Sequence, residues 1–160
     1  MKVIHTSWEA ERYGIRTFLL NPIPYQNKSL PDLKAEIIFQ KTNKEGEKQY
    51  AQKGIKYYSL GVQSAKDLRN IKLIYNFYKI FRKYDLINFH YATIPPAIAA
   101  KLACKKIIYT FHGTLGLRNK WYDIVTKFFH HFFLTKYCDY FTFASQASYE
   151  RYIKVLRGLS

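Results

Sequence analysis

At 160 residues the chain is the size of one domain, long enough to bury roughly 70% of the surface its unfolded form exposes. Lys and Arg number 26 against 11 Asp and Glu, a formal charge of +15 that sets up a positive field and predicts an anionic partner. With 48% apolar and 18% aromatic residues the composition excludes a disordered chain, and no run of about 18 apolar residues predicts a spanning helix.

The first predicted strand is Lys2-Val3-Ile4-His5, which follows Met1 without the apolar region of a secretory signal. Ile15 to Leu20 predicts one or two helical turns. Asn21-Pro22-Ile23-Pro24 is expected to stop them, because each Pro removes a donor and restricts its predecessor, leaving an irregular loop from Asn21 to Asp32. Ala35 to Gln40, β-branched and aromatic, predicts a second strand. The Lys-rich stretch Lys41 to Lys48 is expected to be a solvated loop. Ile55 to Leu60, between Gly54 and Gly61, predicts a third strand.

From Ser64, read as an N-cap, an apolar stripe near the 3.6 period through Leu68, Ile71, Leu73, Ile74, Phe77, Tyr78, Ile80 and Phe81 predicts one long helix. Leu86 to His90 predicts a buried strand, and Pro95-Pro96 opens a small-residue helix through Ala103. Lys106 to Phe111 is the next strand, followed by a helix from about Lys120 to Tyr137, a strand from Tyr140 to Ala144 and a last helix from Ser145. This alternation predicts an α/β fold: a Rossmann-like three-layer domain over residues 1–160, with a mainly parallel sheet and helices on both faces.

Ligands of open parallel sheets bind at the carboxyl ends of the strands, which selects three places. Thr6 to Gly14 leaves the first strand and enters a helix, and Gly14 lets a ligand approach backbone N–H groups. His90-Tyr91 ends one later strand and His112-Gly113-Thr114 ends the next. Each histidine taken alone reads as a structural one; two at equivalent ends of neighbouring strands point to a site, since imidazole donates or accepts near neutral pH. Neither has companions spaced for zinc, and no metal is expected. Cys104 and Cys138 are likewise isolated in sequence, which predicts reduced thiols and a cytoplasmic protein.

In this order the pieces resemble the N-terminal domain of glycosyltransferase family 4, which has the GT-B fold. The resemblance is carried by Lys2 to Ser7, by Tyr13-Gly14-Ile15-Arg16-Thr17-Phe18-Leu19-Leu20 at the family's Gly-Gly loop and helix, and by Tyr84-Asp85-Leu86-Ile87-Asn88-Phe89-His90. It continues through Ile107 to Gly113 and through Cys138-Asp139-Tyr140-Phe141-Thr142-Phe143-Ala144-Ser145. It implies the acceptor-binding half of a retaining hexosyltransferase that uses a nucleotide sugar as substrate, needs no cofactor, and acts on a glycan or lipid-linked acceptor. His112 is then the catalytic candidate, reaching the sugar. Gly14, Gly113 and Thr114 fall on the donor side, and Arg12, Tyr13, His90 and Tyr91 on the acceptor side. Tyr13 replaces the family's first loop Gly, and Arg16 stands where Glu is common. The family's Glu-x7-Glu donor motif has no match before Ser160. The resemblance therefore implies that the donor-binding domain is absent and that this chain alone is inactive without it. Such a domain could come from a partner chain, and the open cleft face could also favour homo-oligomers.

The positive charge is uneven. Residues 1–60 carry ten basic and six acidic side chains, whereas residues 61–160 carry sixteen and five. The predicted helix around Trp121 is apolar on more than one face, with Trp121, Ile124, Val125, Phe128 and Phe132 in one stripe and Phe129 and Phe133 widening it. Core packing is the first expectation for it. Arg118, Lys120, Trp121 and Lys127 also form a candidate surface for an anionic membrane or a protein partner, which would make the chain peripheral at the inner face of a membrane. A non-enzymatic basic module that binds anionic lipid or a partner is thus the alternative function. Nucleic acid is disfavoured, because no nucleic-acid motif accompanies the basic residues.

Overall fold

A computed structural model describes residues 1–10, 15–63, 70–90, 93–112, 132 and 136–157, with side chains omitted at 151 and 154–157. The elements in chain order are β1 (Lys2–Ser7), α1 (Ile15–Leu20), α2 (Pro22–Ser29), β2 (Lys34–Lys41), α3 (Lys44–Gln52) and β3 (Tyr57–Val62). The second half adds α4 (Ile71–Phe81), β4 (Leu86–Phe89), α5 (Ile94–Leu102), β5 (Lys106–Phe111), β6 (Tyr140–Phe143) and α6 (Gln146–Arg157). The six strands form one sheet in the order β3-β2-β1-β4-β5-β6, every pair parallel. This is the expected Rossmann-like α/β architecture. The strand order reverses between β1 and β4, which makes the crevice at their carboxyl ends the switch point of the sheet.

Alternate residues of each strand feed two cores, one on each face. Ile4, Ile38, Ile87, Phe89, Ile107, Tyr109 and Phe111 pack beneath Leu73, Phe77 and Phe81 of α4 and Ala97, Ala99 and Ala100 of α5. On the opposite face Ala35, Ile37 and Phe39 pack against Ile15, Leu19 and Leu20 of α1, Ile23 of α2 and Tyr50 of α3. Two aspartates tie strand starts together. Asp85 Oδ2 accepts from the Lys2 N–H at 2.7 Å and Asp139 Oδ2 accepts from the Ile107 N–H at 2.7 Å, so each Asp that precedes a strand holds the start of its neighbour.

Three expectations are corrected. The segment after Asn21 is not an irregular loop: Pro22 and Pro24 lie in the first turn of α2, where the missing N–H groups have no intrahelical acceptor in any case. Asn27 on the same helix reaches the sheet, donating to Ala35 O at 3.0 Å and accepting from Ala35 N at 2.7 Å. The Lys-rich stretch is not a solvated loop either, since β2 runs through Lys41 and α3 starts at Lys44. Asn43 caps α3 by accepting from the Gly46 N–H at 3.1 Å, while Glu47 reaches back to the Asn43 N–H at 2.9 Å, and this reciprocal cap outweighs the stretch's polar composition. The helix expected from Ser64 does not run unbroken to Phe81. Asn70 is extended and caps α4 by accepting from the Lys72 N–H at 2.9 Å, while Ser64 and Leu68 lie outside the described residues.

Smaller differences have local causes. The third strand begins two residues late and includes Gly61, whose φ of +70° fits the register shift between β2 and β3. The predicted helix at 120–137 lies outside the described residues except for Phe132, Lys136 and Tyr137. Cys104 and Cys138 are both free.

Candidate functional site

His5, His90 and His112 come from three adjacent strands of the sheet and meet at its switch point. His5 sits within β1 opposite Asn88 of β4, His90 follows β4, and His112 follows β5. The His90 N–H donates to Thr6 O at 3.0 Å, which pins the end of β4 to β1. The rings then bond in a line: His5 Nδ1 to His90 Nε2 at 2.8 Å, and His90 Nδ1 to His112 Nε2 at 2.5 Å. The His5 and His90 rings stack with centroids 5.1 Å apart. Phe18 of α1 covers the outer pair, its ring edge-on to His112 at 4.7 Å and 5.6 Å from His90.

Burial sets the charge of this line. His5 and His90 are only 5% and 4% exposed. Burial lowers the His5 pKa to about 4, and it lowers that of His112 to about 4 as well. His90 is held well below the ordinary imidazole value by burial first and by its two histidine neighbours second. All three rings are therefore neutral at pH 7. Gln26 of α2, as a hydrogen-bond acceptor for the His5 ring, offsets burial in part. The line does not converge on a point. Among the described residues no group of three His, Cys, Asp or Glu side chains is arranged to hold a metal.

Polar groups continue across the same face of the sheet. Thr110 Oγ1 donates to Asn88 Oδ1 at 2.8 Å and, its one proton spent, accepts from Thr142 Oγ1 at 2.7 Å. Across the switch point, Thr93 at the start of α5 donates from Oγ1 to Gln40 Oε1 at 2.6 Å, joining the ends of β2 and the β4–α5 connection. Pro95 and Pro96 in the first turn of α5 carry no N–H, so this helix start offers few donors for an anion.

Of the residues expected at the site, the fold brings His90 and His112 into direct contact. Arg12, Tyr13, Gly14, Tyr91, Gly113 and Thr114 lie outside the described residues, as do Arg118, Lys120, Trp121 and Lys127. Sequence reasoning missed His5 and Phe18. His5 carried a signal, a titratable residue inside the apolar first strand, but its distance to His90 depends on β1 pairing with β4 across a gap of more than eighty residues. Phe18 offered none beyond an aromatic in an amphipathic turn.

A second feature lies on the outer surface of α5. Ile94, Ile98, Leu102, Lys101, Phe132 and Tyr137 line an apolar groove of about 360 Å³. Lys101 Nζ stands 5.0 Å from the Tyr137 ring centre and Lys136 Nζ 4.7 Å from that of Phe132, so the groove is rimmed by cations.

The family model for glycosyltransferase family 4 matches residues 33–157, which is most of the chain. The chain belongs to glycosyltransferase family 4. No curated protein sequence matches it. Among solved structures, HepE (Alr3699) of Anabaena, in a complex with UDP and glucose, superposes with a TM-score of 0.77 over 97% of this chain at 18% identity. The lipopolysaccharide outer core galactosyltransferase WaaB gives 0.67 over 97% at 21%, and MurG of Acinetobacter baumannii 0.62 over 92% at 9%. At these identities the likeness is one of fold. The family 4 chain spans 41% of HepE and 42% each of WaaB and MurG, less than half of each.

Proposed function

We propose that this chain is the acceptor-side domain of a retaining glycosyltransferase that uses a nucleotide sugar. A second domain, in the same or another chain, would hold most of the donor, and the acceptor would be a glycan or lipid-linked sugar. The observation that carries the reading is the contact between His90 and His112 at the switch point, the place where open α/β sheets bind ligands. Family membership and the fold shared with a UDP- and glucose-bound protein supply the nucleotide sugar. His112 would reach the transferred sugar with a neutral ring, and the charge that grows on the leaving diphosphate would be stabilised by basic groups and helix starts around the cleft.

Calorimetric titration with nucleotide sugars, UDP-glucose first, tests the donor. Binding by the chain joined to its second domain, weaker in the isolated chain, is expected; no heat in either form rejects the reading. In the joined enzyme, assayed well below the unfolding temperature of the variant, His112→Ala should depress transfer, and unchanged turnover removes His112 from the reaction.

The lysine-rimmed groove on α5 favours a second reading, in which this face rests on an anionic membrane at the cytoplasmic side. Ile94, Ile98 and Leu102 would enter the headgroup boundary while Lys101 and Lys136 meet anionic lipid, each basic group adding about 1 kcal/mol. No described helix is long and apolar enough to cross a membrane. Sedimentation with phosphatidylglycerol vesicles should be salt-sensitive and should drop in Ile98→Glu. Equal binding to neutral phosphatidylcholine vesicles, or none to either, discards this reading.

A further inference from the structure

Helix α5 is apolar on two sides. Ala97, Ala99 and Ala100 turn inward to the sheet, as a core helix requires. Ile94, Ile98 and Leu102, four residues apart along the outer side, are 58%, 41% and 60% exposed, a stripe of the kind that a helix ordinarily buries. Phe132 and Tyr137 line the groove of about 360 Å³ together with this stripe, a size within the range of about 300–1,000 Å³ of small-molecule sites. From Ile94 to Leu102 the helix rises about 12 Å, the length of an extended alkyl chain of about ten carbons.

The charges of the groove are gathered at one end. Lys101 lends its methylene stem to the lining, and its Nζ and that of Lys136 stand over the Tyr137 and Phe132 rings. Leu102 leads towards β5 and Tyr137 towards β6, so this end lies at the amino edge of the sheet, while Ile94 follows Thr93 at the switch point. Neither lysine has a carboxylate partner among the described residues: Glu9 and Glu36 pair with Lys41 and Lys56, and Asp139, close to Lys136 in sequence, holds the Ile107 N–H. Between Ile71 and Phe111 the sequence sets seven Lys and Arg against Asp85 alone.

We propose that this groove is a binding site for one anionic lipid molecule of the membrane, its alkyl chain along Ile94, Ile98 and Leu102 and its head group on Lys101 and Lys136. Apolar contact supplies the affinity, and the two ammonium groups select the head and set the direction of the chain. With its head at the amino edge, about 12 Å along α5 from the switch point, the bound lipid is not placed to accept a sugar at His90 and His112. It acts instead as a fixed point that holds the crevice at a set orientation to the bilayer. This inference goes beyond contact of a face with a membrane, since it requires one filled site per chain, and it rests on the membrane reading only for the source of the lipid.

Decyl phosphate below its critical micelle concentration serves as the probe, without a bilayer. Calorimetric titration of the chain at low salt should saturate at one molecule per chain, with hexyl phosphate weaker by about tenfold or more, because each buried methylene is worth about a factor of four. Lys101→Gln combined with Lys136→Gln should weaken decyl phosphate by about tenfold or more while leaving decanol binding unchanged. Ile98→Glu should abolish binding of both phosphates, and Leu102→Gln, at a more exposed position, should weaken decyl phosphate even if Ile98→Glu fails to fold. Equal binding of hexyl and decyl phosphate overturns the proposal, as do the absence of saturable heat and binding that the folded groove variants leave unchanged. Decyl phosphate bound by a chain that does not sediment with vesicles keeps the groove as a site for an anionic amphiphile and rejects the membrane as its source. Sedimentation without decyl phosphate binding keeps the membrane reading and rejects the site.

Discussion

Acidification should destabilise this fold through its three buried histidines, and the share that belongs to His5 can be worked out and isolated. In the unfolded chain the ring titrates near 6.5; in the folded protein burial lowers it to about 4. Between these values the unfolded state binds a proton that the folded state refuses, so the His5 contribution to stability is lost as the pH drops below about 6.5 and is fully lost below about 4. Above 6.5 the ring is neutral in both states and contributes no pH dependence. A separation of about 2.5 units at about 1.4 kcal/mol each is about 3 kcal/mol in full, of which about 2 kcal/mol is already lost at pH 5. Against a domain stability of about 5–15 kcal/mol that is a readily measured change. Urea unfolding followed by circular dichroism at pH 7.5 and pH 5.0, on the natural protein and on His5→Asn, separates the His5 term from the carboxylates and from His90 and His112, which both proteins carry. The natural protein should lose about 2 kcal/mol more than the variant over this interval. Equal losses would refute the argument that the His5 ring is buried and neutral.

Other substitutions probe the scaffold around the site. Phe81, fully buried between α4 and the sheet, should cost about 3–5 kcal/mol as Phe81→Ala in the same urea assay. Asp139→Ala removes the acceptor of the Ile107 N–H and should cost about 1–3 kcal/mol; a neutral result would mean that this strand-start bond is replaced by water. Cys104 follows α5 with φ of +50°, a backbone region that favours glycine, so Cys104→Gly should stabilise by up to about 1 kcal/mol, read as a higher urea midpoint.

How far the site was legible in the sequence follows from which contacts are local. His90 and His112 could be picked out because a strand's end, and the ligand edge it belongs to, are visible in a short apolar run followed by Pro or Gly. The bond between them could not, because it depends on β4 and β5 lying side by side with Asn88 level with Ile108. Two misreadings share one cause. At Pro22 and at Lys44 the composition spoke for loops, but a helix start accommodates proline and is closed by side chains such as Asn43 and Glu47, whose bonds composition does not display.

By itself the sequence determined the class of this protein: alternating apolar strands and amphipathic helices permit little but a parallel sheet covered on both faces, and the order of short motifs placed it in its family. Those are properties of neighbours along the chain, fixed by side-chain periodicity and by the chemistry of turns. The meeting of the three histidines was decided elsewhere. His5 is eighty-five residues from His90 in sequence and 2.8 Å from it in the fold, and only burial in that packed crevice makes its ring neutral.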